Sequence, residues 1–563
     1  MGGSERFDRN AALERLGSEQ FDVLVIGGGI TGAGVAVDAA ARGLRTALVE
    51  AEDFASGTSS ASSKLVHGGL RYLQQYEVGL VFQSLAERQT LLRNAPHLVQ
   101  PIVFVLPVFG SGGIADQATA LTYSAGLWLY DLFGGLRIGH MHRRASAEEV
   151  RSHLPTLRTD RLLGGFIYYD ARTDDARLTL ALVRTAADHG AVVANHAPVV
   201  ELTKDGKNRV CGARIRPGDG PDGGIEVRAR AVVSATSVWA DEIRDLDERR
   251  RHVMRPAKGI HIVVPRTELP CDAAVILPSP SDGREVFAIP WGDKTYVGTT
   301  DTGYEGPLRG AAVDRADVSY LLEAVNAAVS HPITEDTVTG TWSGLRPLLA
   351  PAPGRRRPSE RTADLSRRHT VLVSPSGLVT ITGGKLTTYR KMAADTVDVL
   401  VRQLGVGARR GWTEHLPVHG STGLADLRQP GAAQRLGVAQ ATFAHLLARY
   451  GDDVPAVLAV VGERPDFAEP LADGLPFLAG EVIYAVRSEM ASTVEDVLSR
   501  RMRVLPFDAR AASAAAPLVA ELIAGELGWD QERTATEVKR FRELTAASLS
   551  AVAASGNTEG ESR

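Results

Sequence analysis

The chain has 563 residues, more than a single hydrophobic core usually supports, so two or three domains are expected. Apolar residues make up 44% of the sequence, charged residues 23%, and the net charge is −4. These values fit a soluble globular protein and give no sign of nucleic acid binding. An anionic ligand therefore has to be bound by a local cluster of basic residues.

Cysteine content and the N-terminal segment predict a cytoplasmic protein. The two cysteines, Cys211 and Cys271, form no C-x-x-C pair, so the sequence indicates no zinc or dithiol site. Two cysteines are also too few for the disulfide framework of a secreted protein. The first 20 residues are polar and lack the apolar core of a signal peptide. No apolar run reaches the roughly 20 residues that a spanning helix needs. We expect no bound metal and no membrane-spanning segment.

The first regular elements predict a βαβ unit. FDVLVI, residues 21–26, is apolar nearly throughout, as a strand buried on both faces would be. An alanine-rich helix follows GGGITGAG and runs to about Arg42. RTALVE then forms a second strand that ends at Glu50.

Strands and helices alternate in the following 350 residues. Residues 54–70 are rich in Ser and Gly and predict a loop, and residues 77–94 predict a helix. Ser146 stands three residues before Glu149, the spacing of a capping box at a helix start. LVTITGG predicts a further buried strand, with a helix from Lys385. Helical periodicity dominates the C-terminal part of the chain.

The glycines Gly27, Gly29 and Gly32 form G-x-G-x-x-G between the first strand and its helix. The first permits a tight turn, the second lets the backbone approach a pyrophosphate, and the third lets helix and strand pack closely. The helix N-terminus favours phosphate. Glu50 can accept both hydroxyls of an adenosine ribose and disfavours NADP. The pattern therefore indicates a dinucleotide site.

The segment after Glu50 favours FAD over NAD. An NAD-binding domain usually continues with further βα units, whereas here a long Ser/Gly segment, ASGTSSASSKLVHGGLRYL, follows. Its hydroxyl and backbone N–H groups suit the ribityl chain and pyrophosphate of a flavin. The embedded Lys64, His67 and Arg71 argue against a flexible linker.

Several long segments together resemble one family. They are GGGITGAGVAVDAAARGL, TSSASSKLVHGGLRYL, DDARL, KGIHIVVPR, PWGDKTYVGTTD, SGLRPL and GGKLTTYRKMA, in order within residues 22–395. The chain is similar to the FAD-dependent, respiratory glycerol-3-phosphate dehydrogenases, within the D-amino-acid-oxidase-like flavoproteins. One departure is SATSVW, where Ser237 stands in place of a glycine common in the family.

The resemblance implies an α/β fold and a domain order. A Rossmann-like FAD domain would interleave with an antiparallel-sheet substrate domain, and a helical domain would follow. The composition shift at residues 404–420 and the helical periodicity after it give the expected divisions: a polar lead (1–20), the oxidoreductase region (21–403), a linker (404–420), the helical domain (421–552) and a polar tail (553–563). The family also allows a homodimer.

The resemblance further implies oxidation of sn-glycerol 3-phosphate to dihydroxyacetone phosphate. A hydride would pass to the flavin, and the electrons would go on to a membrane quinone. The residues expected to bind FAD are Gly27, Gly29, Gly32, Glu50, Thr58, Ser59, Ser63, Lys64, His67, Gly68, Gly383, Gly384 and Thr387.

A phosphate clamp and a proton acceptor are assigned on the same resemblance. Arginine binds phosphate through its planar fork, and the substrate-binding candidates are Arg346, Arg367, Tyr72 and Thr300. The catalytic candidates are His261, Lys385 and Arg71. Both His261 and Lys385 are candidates for the base that takes the hydroxyl proton.

Membrane contact and the electron acceptor stay open. Leu121 to Leu136 carries Tyr, Trp and Phe on an apolar background, which fits either an interfacial helix on the inner face of the cell membrane or a buried helix. The closest alternative function is a glycerol-3-phosphate oxidase that makes hydrogen peroxide. More distant alternatives are an amino-acid or amine oxidase and a flavoprotein fold kept as a scaffold.

Overall fold

A computed structural model describes residues 7–70, 77–110, 123–135, 138–218, 223–248, 252–350 and 368–552. An eight-stranded sheet and a ten-stranded sheet lie beside a bundle of C-terminal helices. The α/β class with a helical C-terminal domain, predicted from the sequence, is confirmed. Among the described residues no helix is both long enough and apolar enough to cross a membrane.

The strands follow one another along the whole first two thirds of the chain. They are β1 (Gln20–Ile26), β2 (Thr46–Val49), β3 (Leu65–Val66), β4 (Val99–Phe109), β5 (Arg143–Ala145), β6 (Leu162–Thr173), β7 (Val192–Ala194), β8 (Val199–Lys204), β9 (Val210–Ile215), β10 (Ile225–Ser234), β11 (Ala257–Pro265), β12 (Ala274–Pro278), β13 (Glu285–Trp291), β14 (Lys294–Gly298), β15 (Thr302–Gly303), β16 (Gly340–Arg346), β17 (Thr370–Val373) and β18 (Val379–Thr382).

The α-helices lie between these strands and then fill the C-terminal part. They are α1 (Arg9–Ser18), α2 (Ile30–Ala41), α3 (Val78–Asn94), α4 (Ala147–His153), α5 (Asp175–Asp188), α6 (Ala240–Asp247), α7 (Arg315–Ala328), α8 (Tyr389–Leu404), α9 (Leu424–Leu427), α10 (Ala432–Arg435), α11 (Gln440–Tyr450), α12 (Val454–Val461), α13 (Ala479–Glu489), α14 (Val504–Phe507), α15 (Ala509–Leu527) and α16 (Gln531–Leu549). Residues 123–130 are also helical and continue into a π-helical turn, Asp131–Gly135.

The first sheet has a parallel core in the order β18-β10-β1-β2-β7. Helices α2, α5 and α8 pack together on one face, while α1 covers the other beside β7 and β10. Strand β1 is apolar on both faces because both faces are covered, as the sequence predicts. The turn after β1 therefore opens at the carboxyl edge of the sheet, where α/β folds bind ligands.

The second sheet runs in the order β15-β11-β14-β13-β12-β4-β6-β3 and is largely antiparallel. Helices α4 and α7 and their apolar side chains cover one face. The other face is aromatic and includes Phe104, Tyr168, Tyr296 and Trp342. This aromatic face forms the wall against which the active-site cavity lies.

The helical domain is joined to the first sheet by buried ion pairs. Asp53, in the loop after β2, binds both Arg500 and Arg501. Arg177 at the start of α5 binds Glu489 at the end of α13 at 2.8 Å. These contacts attach the C-terminal helices directly behind the residues that form the active-site cavity.

Two local predictions can be compared with the structure. The Ser146 side chain accepts a hydrogen bond from the Glu149 backbone N–H, which confirms the predicted helix start. The helix predicted from Lys385 is preceded by a 3₁₀ turn, Leu386–Thr388, and α8 begins at Tyr389. The delay follows from Gly383 and Gly384, both in the left-handed region with φ of +77°, which bend the chain between β18 and the helix.

Candidate active site

The glycine-rich turn is packed too closely for side chains. Gly27 has a φ of +109°, in the region that favours glycine. A Cβ atom on Gly32 would lie 1.9 Å from the Gly27 carbonyl oxygen, so α2 approaches the turn directly. A Cβ atom on Gly29 would lie 2.9 Å from Ser59 Oγ. Each glycine thus meets a backbone or side-chain neighbour that a larger residue would displace.

Glu50 is tied to the same turn. Its Oε2 accepts a hydrogen bond from Gly28 N–H at 2.6 Å, and Oε1 accepts one from Glu52 N–H at 2.9 Å. Burial raises the pKa of the Glu50 carboxyl, while these hydrogen bonds lower it in part. The carboxylate therefore stands at the end of β2, beside the turn.

A cavity of about 310 Å³ extends from this turn to the aromatic face of the second sheet. The predicted residues that line it are Gly29, Thr58, Ser59, Ser63, His67, His261, Arg346, Gly383, Gly384, Lys385 and Thr387. Those that the structure describes away from its lining are Gly27, Gly32, Glu50, Lys64, Gly68 and Thr300. Arg71, Tyr72 and Arg367 lie outside the described residues.

Lys64 lies behind the cavity wall. Its side chain is fully buried, and the ammonium is 3.3 Å from both Asp175 carboxylate oxygens and 4.4 Å from the centre of the Trp342 ring. Burial lowers its pKa to about 8. The sequence groups Lys64 with the FAD-binding residues, but in the structure it supports the wall from behind.

Thr300 also faces away from the cavity. Its hydroxyl accepts a hydrogen bond from Ile260 N–H at 3.1 Å, inside the second sheet. The neighbouring Thr299 and Asp301 line the cavity instead. Successive side chains alternate between the two sides of extended backbone, so a shift of one residue exchanges pocket and core positions.

The residues that directly follow β14 hold Arg346 in place. Its guanidinium donates to the Thr300 carbonyl at 3.0 Å and to Thr299 Oγ1 at 3.2 Å, and it lies 3.3 Å from Asp301 Oδ1. The side chain is half-buried and lines the cavity. It is therefore a cation with a fixed orientation.

His261 stacks on Trp342, with ring centroids 4.5 Å apart and an interplanar angle of 11°. Its Nε2 lies 2.9 Å from Ser63 Oγ, and its Nδ1 has no hydrogen-bond partner among the described residues. Burial lowers the pKa of His261 well below its usual value, and the charges of Lys64 and Arg346 lower it further. The ring is thus neutral at pH 7 in this cavity.

The sequence matches the family of FAD dependent oxidoreductases over residues 22–390 and the C-terminal domain of alpha-glycerophosphate oxidase over residues 412–534. The glycerol-3-phosphate dehydrogenase of Mycobacterium leprae is 43% identical over 539 residues, covering 95% of this chain and 89% of that protein.

The chain belongs to the FAD-dependent glycerol-3-phosphate dehydrogenases.

Other members of the family agree with this placement. The mitochondrial glycerol-3-phosphate dehydrogenase of Homo sapiens is 37% identical and covers 95% of this chain and 75% of that protein. The crystal structure of the Bacillus halodurans glycerol-3-phosphate dehydrogenase complexed with FAD aligns with a TM-score of 0.79 at 31% identity, over 97% of this chain and 98% of that one. This chain is thus an FAD-dependent oxidoreductase.

The chemical groups at the glycine-rich turn of this family member suit the cofactor. Gly29 has no side chain of its own at the N-terminus of α2, and it lines the cavity there. Ser59 Oγ accepts from the Ile30 N–H at 2.8 Å, which brings the Ser-rich loop to the same helix end. Gly383, Gly384 and Thr387 line the cavity beyond that end. We expect these groups to hold the pyrophosphate and the flavin end of FAD.

Several lining residues were missed by the sequence reasoning. Arg284, Glu285, Tyr168 and Phe287 all line the cavity. Arg284 donates to the Asp301 carbonyl at 3.0 Å, so a second arginine lies near Arg346. The segment GREVF, which ends two residues before PWGDKTYVGTTD, carried this signal, but only strand pairing shows which of its residues face the cavity.

Ser237 has a backbone conformation that favours glycine. Its φ is +54°, in the left-handed region where a side chain is unfavourable, and it lines the cavity. The serine at this position therefore introduces local backbone strain in the lining of the cavity.

Proposed function

We propose that this enzyme oxidises sn-glycerol 3-phosphate to dihydroxyacetone phosphate and passes the electrons to a membrane quinone. Its relatives carry the name glycerol-3-phosphate dehydrogenase. The observation that carries the proposal is a cavity that joins the dinucleotide turn to oriented basic side chains, Arg346, Arg284 and Lys385. A phosphate dianion needs such a cluster, whereas an amino-acid carboxylate needs one arginine.

Arg346 would bind the phosphate. The hydrogen bonds to Thr299 and Thr300 and the ion pair with Asp301 fix its planar group before substrate arrives, which reduces the entropy lost on binding. Arg71 and Arg367 stay candidates for the same phosphate on the family resemblance.

His261 would accept the proton of the substrate hydroxyl. Its neutral ring can take a proton, and stacking on Trp342 together with the contact to Ser63 holds the ring plane. A dianion in the cavity would raise the pKa of His261, because negative charge favours the protonated imidazole. Lys385 would stabilise the negative oxygen that forms during this step. FAD, when bound, supplies the acceptor of the two electrons.

The substrate assignment is tested on Arg346. We expect Arg346→Ala to lower kcat/KM for glycerol 3-phosphate by about tenfold to hundredfold, the equivalent of about 1.5–3 kcal/mol for a charge-assisted contact, with FAD still bound. Arg346→Lys should restore part of the loss. Glycerol should be a very poor substrate whose rate hardly changes. An equal loss for both compounds would mean that Arg346 is structural or acts on the reacting hydroxyl.

An apolar surface supports contact with a membrane. Trp128 and Leu132 are 57% and 68% exposed, and Phe82 in the adjoining α3 is 48% exposed. Phe82 contacts Phe133 with ring centroids 5.6 Å apart, so the two helices form one surface. Leu127 in the same helical segment is fully buried. One face of the segment is therefore packed against the protein, as a buried helix would be, and the other is exposed and apolar, as an interfacial helix would be. We propose that this surface lies on the inner face of the cell membrane.

The membrane proposal is tested by sedimentation with anionic lipid vesicles. The Trp128→Ser/Leu132→Ser double variant should bind several-fold less than the wild-type protein. Leu527→Ser removes an exposed apolar side chain from the end of α15 and should leave binding unchanged. Equal binding of all three proteins would exclude this surface.

Oxygen uptake separates the quinone-linked enzyme from the oxidase, a function that the C-terminal domain match also names. With glycerol 3-phosphate and no quinone, we expect slow oxygen consumption, and a soluble quinone analogue should accelerate substrate oxidation. Rapid peroxide formation that a quinone does not change would favour the oxidase.

A further inference from the structure

A second cavity lies between the second sheet and the C-terminal helices. Its volume is about 510 Å³, within the usual range of small-molecule sites, and none of its lining residues lines the active-site cavity. Strand β6, the turn between β13 and β14, and the C-terminal helices α11, α14 and α15 all contribute to its walls. The reaction proposed above uses no group in it.

Several arginines contribute to the lining of this cavity. Arg172, Arg177, Arg449 and Arg503 line it, and the Nε atoms of the last three have no hydrogen-bond partner among the described residues. Arg172 donates only to the Pro290 carbonyl and forms no ion pair with a described carboxylate.

Four acids also line the cavity. Asp293 and Asp473 are exposed, Asp174 is paired with Arg449 and Arg503, and Asp508 is paired with Lys294. Arg177, Arg449 and Arg503 are paired with Glu489, Asp174 and Asp175. An anion in the cavity would therefore meet Arg172 as the arginine with no described carboxylate partner.

Part of the cavity lining is apolar and aromatic. Trp291 and Phe507 stack at 5.0 Å with an interplanar angle of 12°, and Met502 and Phe477 complete the surface. Burying an apolar ligand group against this part of the lining is favourable, and arginine supplies charge-assisted hydrogen bonds elsewhere in it. The walls thus fit an anion that carries an aromatic or other apolar group.

The apolar part of the lining is continuous with the active site. Phe507 lies 5.7 Å from Trp342, the ring on which His261 stacks. Among the arginines, Arg503 lies 3.1 Å from Asp175, the partner of Lys64 beneath the same Trp342 ring. A ligand that moves Phe507 or Arg503 would therefore act on the support of His261.

We propose that this cavity is an effector site for an organic carboxylate, sulfonate or phosphate ester with an apolar body, and that its occupancy changes catalysis through Phe507 and Trp342. The binding part does not depend on the identity of the substrate, whereas the catalytic part rests on the proposed function.

The binding part is tested with 8-anilinonaphthalene-1-sulfonate, an aromatic anion that fluoresces when bound, on the FAD-loaded enzyme. We expect saturable binding that excess glycerol 3-phosphate does not displace. Arg172→Gln should weaken the probe about tenfold, by loss of a charge-assisted contact. Ala511→Phe, which fills the cavity and keeps every charge, should weaken it as well. Arg510→Gln, at an exposed neighbouring position, is the matched control and should bind normally.

Displacement of the probe by substrate would overturn the proposal, as would equal affinity in the Arg172→Gln, Ala511→Phe and Arg510→Gln variants. For catalysis, we expect the probe to change kcat/KM at least twofold in the wild-type and Arg510→Gln enzymes at concentrations that leave Arg172→Gln unaffected. Binding without any change in kcat/KM would overturn the effector role. An enzyme inactive on glycerol 3-phosphate would instead contradict the proposed function and leave the binding result valid.

Discussion

Removing the charge of Asp53 tests whether buried ion pairs attach the C-terminal domain. The Asp53 side chain is fully buried, and its Oδ2 accepts from Arg500 Nε and Arg501 Nη1, both at 2.6 Å. Oδ1 accepts from Arg501 Nη2 at 2.8 Å. Asp53→Asn keeps the shape of the side chain but leaves two buried guanidinium groups with less negative charge around them.

The expected cost of this substitution is substantial. Breaking a buried ion pair by removing one partner costs about 3–5 kcal/mol. Arg500 keeps its contact with Asp496 at 2.7 Å, and Arg501 keeps its hydrogen bond to the Glu489 carbonyl at 2.8 Å, so the lower end applies. For a domain of about 150–250 residues, each kcal/mol of lost stability lowers Tm by about 2–4 °C. A loss of about 3 kcal/mol should therefore lower the Tm of the C-terminal helical domain by at least about 6 °C.

Thermal unfolding followed by circular dichroism, with limited proteolysis between the domains, measures this effect. Asp466→Asn serves as the control because its ion pair with Arg464 is exposed and should contribute almost nothing. The Asp53→Asn enzyme should melt earlier and be cleaved faster than the control. If both variants melt within about 1 °C of the wild-type protein, the ion pairs do not attach the domain.

Three further predictions concern the cofactor turn and the response to acid. Gly32→Ala places a Cβ atom 1.9 Å from the Gly27 carbonyl oxygen, so purified protein should lack most of its FAD absorbance. Ser237→Gly relieves a φ of +54° and should tighten FAD binding a few-fold in a reconstitution titration. Burial raises the pKa of Asp453, but the hydrogen bond with His419 and nearby positive charge lower it overall below the usual 3.8. Its stabilising effect is thus present above about pH 4 and lost below it, and Asp453→Asn should flatten the fall of Tm between pH 5 and pH 3.

Each of these predictions has a control or a contradicting result. Gly79→Ala meets no atom within 4 Å and should retain FAD. Weaker FAD binding by Ser237→Gly would show that the serine hydroxyl contributes more than the strain costs. An unchanged acid slope in Asp453→Asn would assign acid sensitivity to other carboxylates.

The sequence by itself determined the parts of this protein that depend on local backbone geometry. The turn at Gly27, Gly29 and Gly32 could be predicted because only glycine fits the φ of Gly27 and the close contact between Gly32 and the Gly27 carbonyl oxygen. The start of α4 at Ser146 follows from a side chain bonding the backbone three residues away. Long motifs then identified the family and therefore FAD.

Only the tertiary structure decided which side chains face the cavity. Lys64 turns to Asp175, more than a hundred residues away, because a buried ammonium needs a carboxylate partner. Thr299, and not Thr300, faces the cavity because pairing with the neighbouring strands sets which side of the extended backbone each residue occupies. No local spacing in the sequence encodes these choices, since each depends on contacts between distant segments.

The second cavity also depends on contacts between segments that are distant in the sequence. Arg172 lies on β6 and Phe507 on α14, and the two residues line one space only because the C-terminal helices pack against the second sheet. That packing includes the ion pair of Lys294 in β14 with Asp508 at the start of α15, at 3.0 Å, a pairing that the sequence does not indicate. Residues of the second sheet and of the C-terminal helical domain line this cavity together, so the site exists only in the folded chain.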